Sequence, residues 1–212
     1  MEVRRLNEHT YQETLSGAKE TLSSGGVMVA PTDTIYGILG DARNEEAIKK
    51  IFALKKRPSE KVFPIFVRDI PVARTLAYIS DAKSRFLERI WPGQVTVLFH
   101  HKENLPPVLT GGSDKIGIRI PDYPWLLELL QKLDFPLVQT SANISNESPA
   151  KDIEEIKKYF DDIAFQPDLV IDAGEIKGAS STVVDFSGRE AIVLRSGLVS
   201  KEELDRILNI AN

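Results

Sequence analysis

Strand and helix patterns interleave along this chain without strict alternation, and that narrows the fold more than any other feature. Residues 94–101 alternate Val95, Val97 and Phe99 on one face, and residues 115–120 repeat the pattern with Ile116, Ile118 and Ile120. A doubly wound parallel sheet needs a crossover between successive strands, so the expectation is an α/β (α+β) fold: one mixed sheet with helices packed against it. At 212 residues without a linker-like stretch, the chain is read as a single domain over 1–212.

The remaining elements follow from periodicity and punctuation. Residues 10–23 read as a helix opened by a Thr10/Glu13 capping box and stopped by Gly25-Gly26. A short apolar strand, 27–30, ends at Pro31 and delivers Thr32-Asp33-Thr34 to its carboxyl end, where open α/β sheets place ligands. Asn44 can cap a helix carrying Ala47, Ile48, Ile51, Phe52 and Leu54, which Pro58 closes by forcing Arg57 out of helical geometry. Next come a strand over 62–67, a short helix after Asp69 and Pro71, and a helix over 81–91 broken by Pro92-Gly93. Residues 124–133 read as helix and 136–140 as strand. Asp152 caps a helix to about residue 160, and 169–172 is a further strand. Residues 182–186 and 191–195 form a hairpin across Ser187-Gly188, and a Ser200/Glu203 capping box opens the last helix.

Composition removes several function classes. There is no cysteine, which excludes disulfides and thiolate metal sites and suits a reducing cytosol. The start lacks an apolar signal region and no apolar run reaches membrane-spanning length, so the expectation is a cytoplasmic protein with no membrane partner. A net charge of −4 argues against a surface that grips nucleic acid throughout, so any phosphate site must be local. Neither a Walker loop nor a dinucleotide-binding glycine fingerprint occurs. His9, His100 and His101 are the only histidines, and neighbouring strand residues face opposite ways, which disfavours a metal cluster or a Ser/His/Asp triad.

What remains is a set of polar groups at strand and helix ends. Residues 55–61 carry a net charge of +3 at a helix end, which suits either a solvated last turn or a phosphate site. Thr140-Ser141-Ala142-Asn143 follows an apolar strand; such groups are ordinary turn formers, yet Ser141 and Asn143 can face the same way in an extended chain. Ser180-Ser181-Thr182 sits at a strand start with the same ambiguity. Arg119 lies opposite the apolar face of its strand and Arg195 ends another, each open to solvent exposure or to a ligand. Taken together, hydroxyl-rich strand ends and isolated cations suit an anionic nucleotide plus a small amino acid.

Seven segments, 30–37, 54–58, 91–96, 118–121, 140–143, 181–185 and 194–197, resemble in order the motifs of the YrdC-like threonylcarbamoyl-adenylate synthase family. The resemblance spans about residues 10–200. It implies a twisted open sheet with a basic concave surface holding ATP and L-threonine. By matching position, Lys55, Arg57, Ser141 and Asn143 fall on the family's Lys-x-Arg and Ser-x-Asn signature. The resemblance places Lys55, Arg57, Lys61, Asn143 and Arg195 on the ATP side and Thr32, Thr34, Arg119, Ser141 and Ser181 on the threonine side. Lys55 and Arg57 would stabilise charge, with no enzyme nucleophile. The implied activity is that of a nucleotidyltransferase making threonylcarbamoyl-AMP and pyrophosphate from L-threonine, bicarbonate and ATP. Mg²⁺ would come with ATP rather than on protein ligands, and the tRNA threonylcarbamoyl-transfer machinery would be the downstream partner. Direct RNA contact is a further expectation. The alternatives are a paralogue using another carbamoyl or adenylyl substrate, and a non-catalytic RNA-binding module. Two departures stand out. The segment after Pro58 reads Lys61-Val62-Phe63-Pro64 where the family usually has Lys-Pro-Leu, and the chain stops at Asn212, without the second domain of longer relatives.

Overall fold

The computed structural model of the chain describes residues 1–56, 62–161 and 163–211, with side chains through 207. The strands are β1 (Glu2–Arg5), β2 (Met28–Ala30), β3 (Gly37–Asp41), β4 (Ile65–Phe66), β5 (Val95–His100), β6 (Lys115–Arg119), β7 (Leu137–Ser141), β8 (Leu169–Asp172), β9 (Thr182–Asp185) and β10 (Ile192–Arg195). The helices are α1 (Tyr11–Ser23), α2 (Glu45–Lys55), α3 (Ile70–Leu76), α4 (Asp81–Ile90), α5 (Pro107–Thr110), α6 (Pro124–Lys132), α7 (Ile153–Phe160) and α8 (Lys201–Ala211). All ten strands join one sheet in the order β1-β8-β2-β3-β7-β4-β6-β5-β9-β10. It is mixed, as the interleaved pattern predicts: β5 pairs antiparallel with β6 but parallel with β9, and β4 pairs parallel with β6 but antiparallel with β7.

Most of the local signals hold. Asn44 caps α2 by accepting from the amides of Glu46 and Ala47, Asp69 caps α3, Asp152 caps α7, and Ser200 accepts from Glu203 N at the start of α8. Gly25, at φ +80°, ends α1 with its amide on Leu22 O while Gly26 N reaches Thr21 O, a return that only a left-handed residue permits. Four expectations change. Thr10 makes no side-chain cap on α1; its hydroxyl donates instead to Arg5 O, which pins the β1–α1 connection. Helix α4 is capped by Ser80 and ends at Ile90. Helix α2 ends at Lys55 with Lys56 left-handed, ahead of Arg57 and Pro58, which lie outside the described residues. The strand expected over 62–67 is two residues long.

The two faces of the sheet are covered unequally, and this positions the site. On one face, helices α2, α3, α4, α5, α7 and α8 pack on a core running the length of the sheet, from Val29 and Ile38 through Ile65 and Ile118 to Val97 and Val184. On the other face, Leu15, Ala18 and Leu22 of α1 with Trp125, Leu126 and Leu129 of α6 cover the half of the sheet carrying Leu169, Ile171, Met28, Ala30, Leu39, Phe66 and Leu137. Each fully buried large apolar side chain is worth about 1.5–3 kcal/mol, enough to fix both helices there. Beyond Phe66 the same face continues onto Gln139, Gly117, Thr96 and Val183, where no described helix packs.

Asp185, at the end of β9, shows how the far half is braced. Burial pushes its carboxyl up, but hydrogen bonds from Lys115 Nζ (2.8 Å), Ser187 Oγ (2.7 Å) and Ser187 N (2.9 Å) outweigh that and hold it at about 2. A carboxyl depressed on folding contributes stability above its unfolded value near 4 and loses it as pH falls towards 2. Asp185→Asn is therefore expected to lower the melting temperature at pH 7, by a free energy of at most roughly 2 kcal/mol. The gap to wild type should close between about pH 4 and 2; melts across that range check it, and a gap independent of pH would contradict the assignment.

Candidate functional site

The uncovered half-face forms a cavity of about 300 Å³. Its floor is the face of β5, β6 and β9 opposite the core: Thr96 and Leu98, Gly117 and Arg119, and Val183. Strand alternation puts them there, since Val95, Val97, Ile116 and Ile118 are drawn to the other side. Gly117 keeps the floor low, because a Cβ would lie 3.1 Å from Pro64 Cβ and 3.2 Å from Thr96 Cγ2.

Three polar turns make the rim. After β2, Thr32 Oγ1 accepts from the amides of Thr34 (3.1 Å) and Ile35 (3.2 Å) and lies 2.9 Å from Thr34 Oγ1, a hydroxyl-closed turn that presents Thr34 to the cavity. After β7, Ser141 Oγ donates to Asn143 Oδ1 at 2.6 Å, while Asn143 Nδ2 donates to Ile144 O and Glu147 O. Ser141 and Asn143 thus meet through a tight turn rather than along an extended chain. Lys55, only 3% exposed, lies beneath this turn and donates to Ser141 O (2.8 Å), Ser141 Oγ (3.2 Å) and Asn143 Oδ1 (2.6 Å). Ser145 N returns a bond to Lys55 O, so the end of α2 grips the turn from both sides. That excludes a solvated turn for Lys55. Before β9, Ser181 Oγ lies 3.0 Å from Thr96 Oγ1, and Arg195 Nη2 donates to Ser181 O at 2.9 Å.

Arg119 is the most constrained cation, its side chain 1% exposed. Nε donates to Gly93 O (2.7 Å), Nη1 reaches Thr34 Oγ1 (3.4 Å), and Nη2 lies 2.5 Å from Asp33 Oδ1, whose side chain is 5% exposed. Neither Nη2 nor that carboxylate oxygen makes a well-directed hydrogen bond, so the contact is an ion pair. Burial pulls the guanidinium below its ordinary value and Asp33 opposes the shift; a guanidinium stays charged regardless. Solvent exposure, the commoner reading of such an arginine, does not apply.

Of the residues read from sequence, the structure brings Thr34, Arg119, Ser141, Ser181 and Arg195 together on one cavity. Thr32, Lys55 and Asn143 stand behind that lining, holding Thr34 and Ser141. Arg57 and Lys61 lie outside the described residues; Val62, next in sequence, lines the cavity. Sequence reasoning missed Asp33, Gln94 and Thr96. The parity that singled out Arg119 also marks Thr96, the polar residue between Val95 and Val97. Gln94, whose Nε2 donates to Asp33 O at 2.6 Å, and Asp33 carried no signal beyond adjacency to motif residues.

Fold and site together give a mixed α/β sheet with an open cavity lined by hydroxyls and two arginines. The Sua5/YciO/YrdC family model, described as telomere recombination, matches residues 20–197, and the chain belongs to that family. A Methanocaldococcus jannaschii protein provisionally named threonylcarbamoyl-AMP synthase is 32% identical over 207 residues, covering 97% of this chain and 96% of that one. The Bacillus subtilis threonylcarbamoyl-AMP synthase is 29% identical over 202 residues, but this chain spans only 58% of its length. The structure of Pyrococcus abyssi Sua5 complexed with L-threonine superposes with a TM-score of 0.87 at 28% identity, covering 98% of this chain and 60% of that one. Among the described residues no helix is long and apolar enough to cross a membrane.

Proposed function

We propose that this chain is a threonylcarbamoyl-AMP synthase. The observation that carries the reading is the convergence of Arg119, Arg195, Thr34, Thr96, Ser141 and Ser181 on one half-face of the sheet. Two fixed cations flanked by hydroxyls, with no histidine on the lining, suit a reaction limited by positioning and charge neutralisation rather than by an enzyme nucleophile. The names of the relatives and the threonine bound to P. abyssi Sua5 support the same substrate.

In the reaction, the threonine amine forms a C–N bond to carbon dioxide and gives up a proton, so bicarbonate contributes its carbon and loses water. A carbamate oxygen then bonds to the α-phosphorus of ATP while the bond to the bridging oxygen breaks, and pyrophosphate leaves with that electron pair. Arg119 is assigned to the amino-acid carboxylate, with Thr34 and Ser181 on its polar groups. Arg195 and the segment with Arg57 and Lys61 are assigned to the triphosphate, where planar guanidinium groups suit phosphate oxygens. Among the described residues no cluster of three His, Cys, Asp or Glu side chains could hold a metal, and magnesium is assigned to the nucleotide's own phosphates. The product is a mixed anhydride whose consumption requires acyl transfer to an acceptor amine, here assigned to adenosine in tRNA.

Pyrophosphate release from ATP is expected to require L-threonine and bicarbonate together, because the carbamate is the attacking group. A coupled pyrophosphate assay with mass-spectrometric detection of threonylcarbamoyl-AMP tests this, and equal release without threonine would mark a plain ATP hydrolase.

A further inference from the structure

A buried ion pair on the floor of a ligand site needs a reason, because desolvating two charges commonly offsets their attraction. Asp33 and Arg119 are such a pair, and three further contacts converge on them. Asp33 Oδ2 accepts from Asp122 N at 3.0 Å, Asp33 O accepts from Gln94 Nε2, and Arg119 Nε is held by Gly93 O. The turns after β2, before β5 and after β6 are therefore tied at one point. Each guanidinium nitrogen has one protein neighbour: Gly93 O for Nε, Thr34 Oγ1 for Nη1 and Asp33 Oδ1 for Nη2. A guanidinium has five N–H donors. Three neighbours fix its plane, and with Nη2 fully buried a ligand in the cavity cannot use both terminal nitrogens. Phe66 lies beneath the group, 5.6 Å from ring centre to Cζ, and limits its tilt.

We propose that Asp33 is a positioning residue which, through its buried pair with Arg119, fixes where that guanidinium meets the carboxylate of the amino-acid substrate. This rests on the synthase reading and adds to it a residue with no expected ligand contact of its own. The competing explanation is that Asp33 only ties three turns together. A tie would act on the whole site and on stability, whereas an aiming role acts on one ligand through one partner.

Calorimetric titration of L-threonine and, separately, of ATP into the full chain distinguishes them. Asp33→Asn is expected to weaken threonine binding about 10- to 150-fold, the cost of one mis-set charge-assisted hydrogen bond. ATP affinity should stay within about threefold, and Asp33→Glu, which keeps the charge, should recover most of the threonine loss. Should Asp33→Asn leave Arg119 unpaired and fail to fold, the comparison of Arg119→Gln with Asp33→Asn/Arg119→Gln replaces it, since the double variant buries no lone charge. Adding Asp33→Asn there should cost no further threonine affinity. Wild-type threonine affinity in folded Asp33→Asn, equal losses for both ligands, or a further loss in the Arg119→Gln background would overturn the role of Asp33. A wild-type chain that binds ATP but no threonine would overturn the synthase reading beneath it.

Discussion

Replacing Gly178 with alanine should lower kcat/KM by at least about 100-fold while leaving the chain folded. Gly178 lies in the connection from β8 to β9, just ahead of Ser180 and Ser181, and a Cβ built on it would sit 1.6 Å from Thr34 O and 2.8 Å from Thr34 C. These are backbone atoms, so no rotamer change relieves the overlap and one of the two segments must withdraw. One carries Thr34 and the other Ser181, both of which line the cavity. A displacement near 1 Å in such a positioning group is enough for about a 100-fold loss. Stability should fall only about 1–3 kcal/mol, the usual cost of local overpacking, because Thr34 and Gly178 themselves lie outside the apolar core. Steady-state kinetics with a thermal melt check both numbers, and wild-type turnover would show that the two segments can part without consequence.

Lys55→Met should be costly in the opposite balance, with stability lost first and activity following. Methionine matches the length of lysine but cannot donate, so Ser141 O and Asn143 Oδ1 would lose a charged donor at a site where Asn143 is 6% exposed. Each oxygen keeps one other donor, Asn143 N on Ser141 O and Ser141 Oγ on Asn143 Oδ1, so the loss is that of the charged bonds themselves, about 1.5–3 kcal/mol each. The melting temperature should therefore fall by roughly 5–15 °C, given about 2–4 °C per kcal/mol at this chain length. Because the turn carries Ser141 into the cavity, kcat/KM at a permissive temperature should also fall by at least about tenfold. An unchanged melt would mean that Ser141 and Asn143 hold the turn without the ammonium.

The same lysine shows what the sequence could and could not reveal. Its charge and its place at the end of α2 were legible, and the resemblance linked it to Ser141 and Asn143. Its burial was not, because the oxygens that satisfy it arrive from the end of β7 and the turn after it, 86 to 88 positions away. Arg119 is a parallel case: alternation identified its face, but only Phe66, Gly93 and Asp33, from three other segments, make that face an interior one. Strand β3 escaped notice for a different reason. Ile38 enters one core cluster and Leu39 the other, so a strand buried on both faces shows no alternation to read. Strand β1, with Glu2, Arg4 and Arg5, has too little apolar content to signal a strand and is defined by pairing with β8. The Thr10 capping box failed because a hydroxyl will take whichever backbone partner is nearer, here Arg5 O, and local sequence does not rank them.

The unequal covering of the sheet has a consequence for the whole molecule. Among the described residues two helices roof one half of a face and none roofs the other; on the synthase reading proposed above, substrate would complete that third layer. Binding and folding are then linked through one surface: at a hundred times its dissociation constant a ligand adds about 2.7 kcal/mol to the folded state. That is comparable to the burial of one large apolar side chain. Small molecules in the cell would serve this protein as detachable architecture, and its resistance to unfolding would rise and fall with their supply.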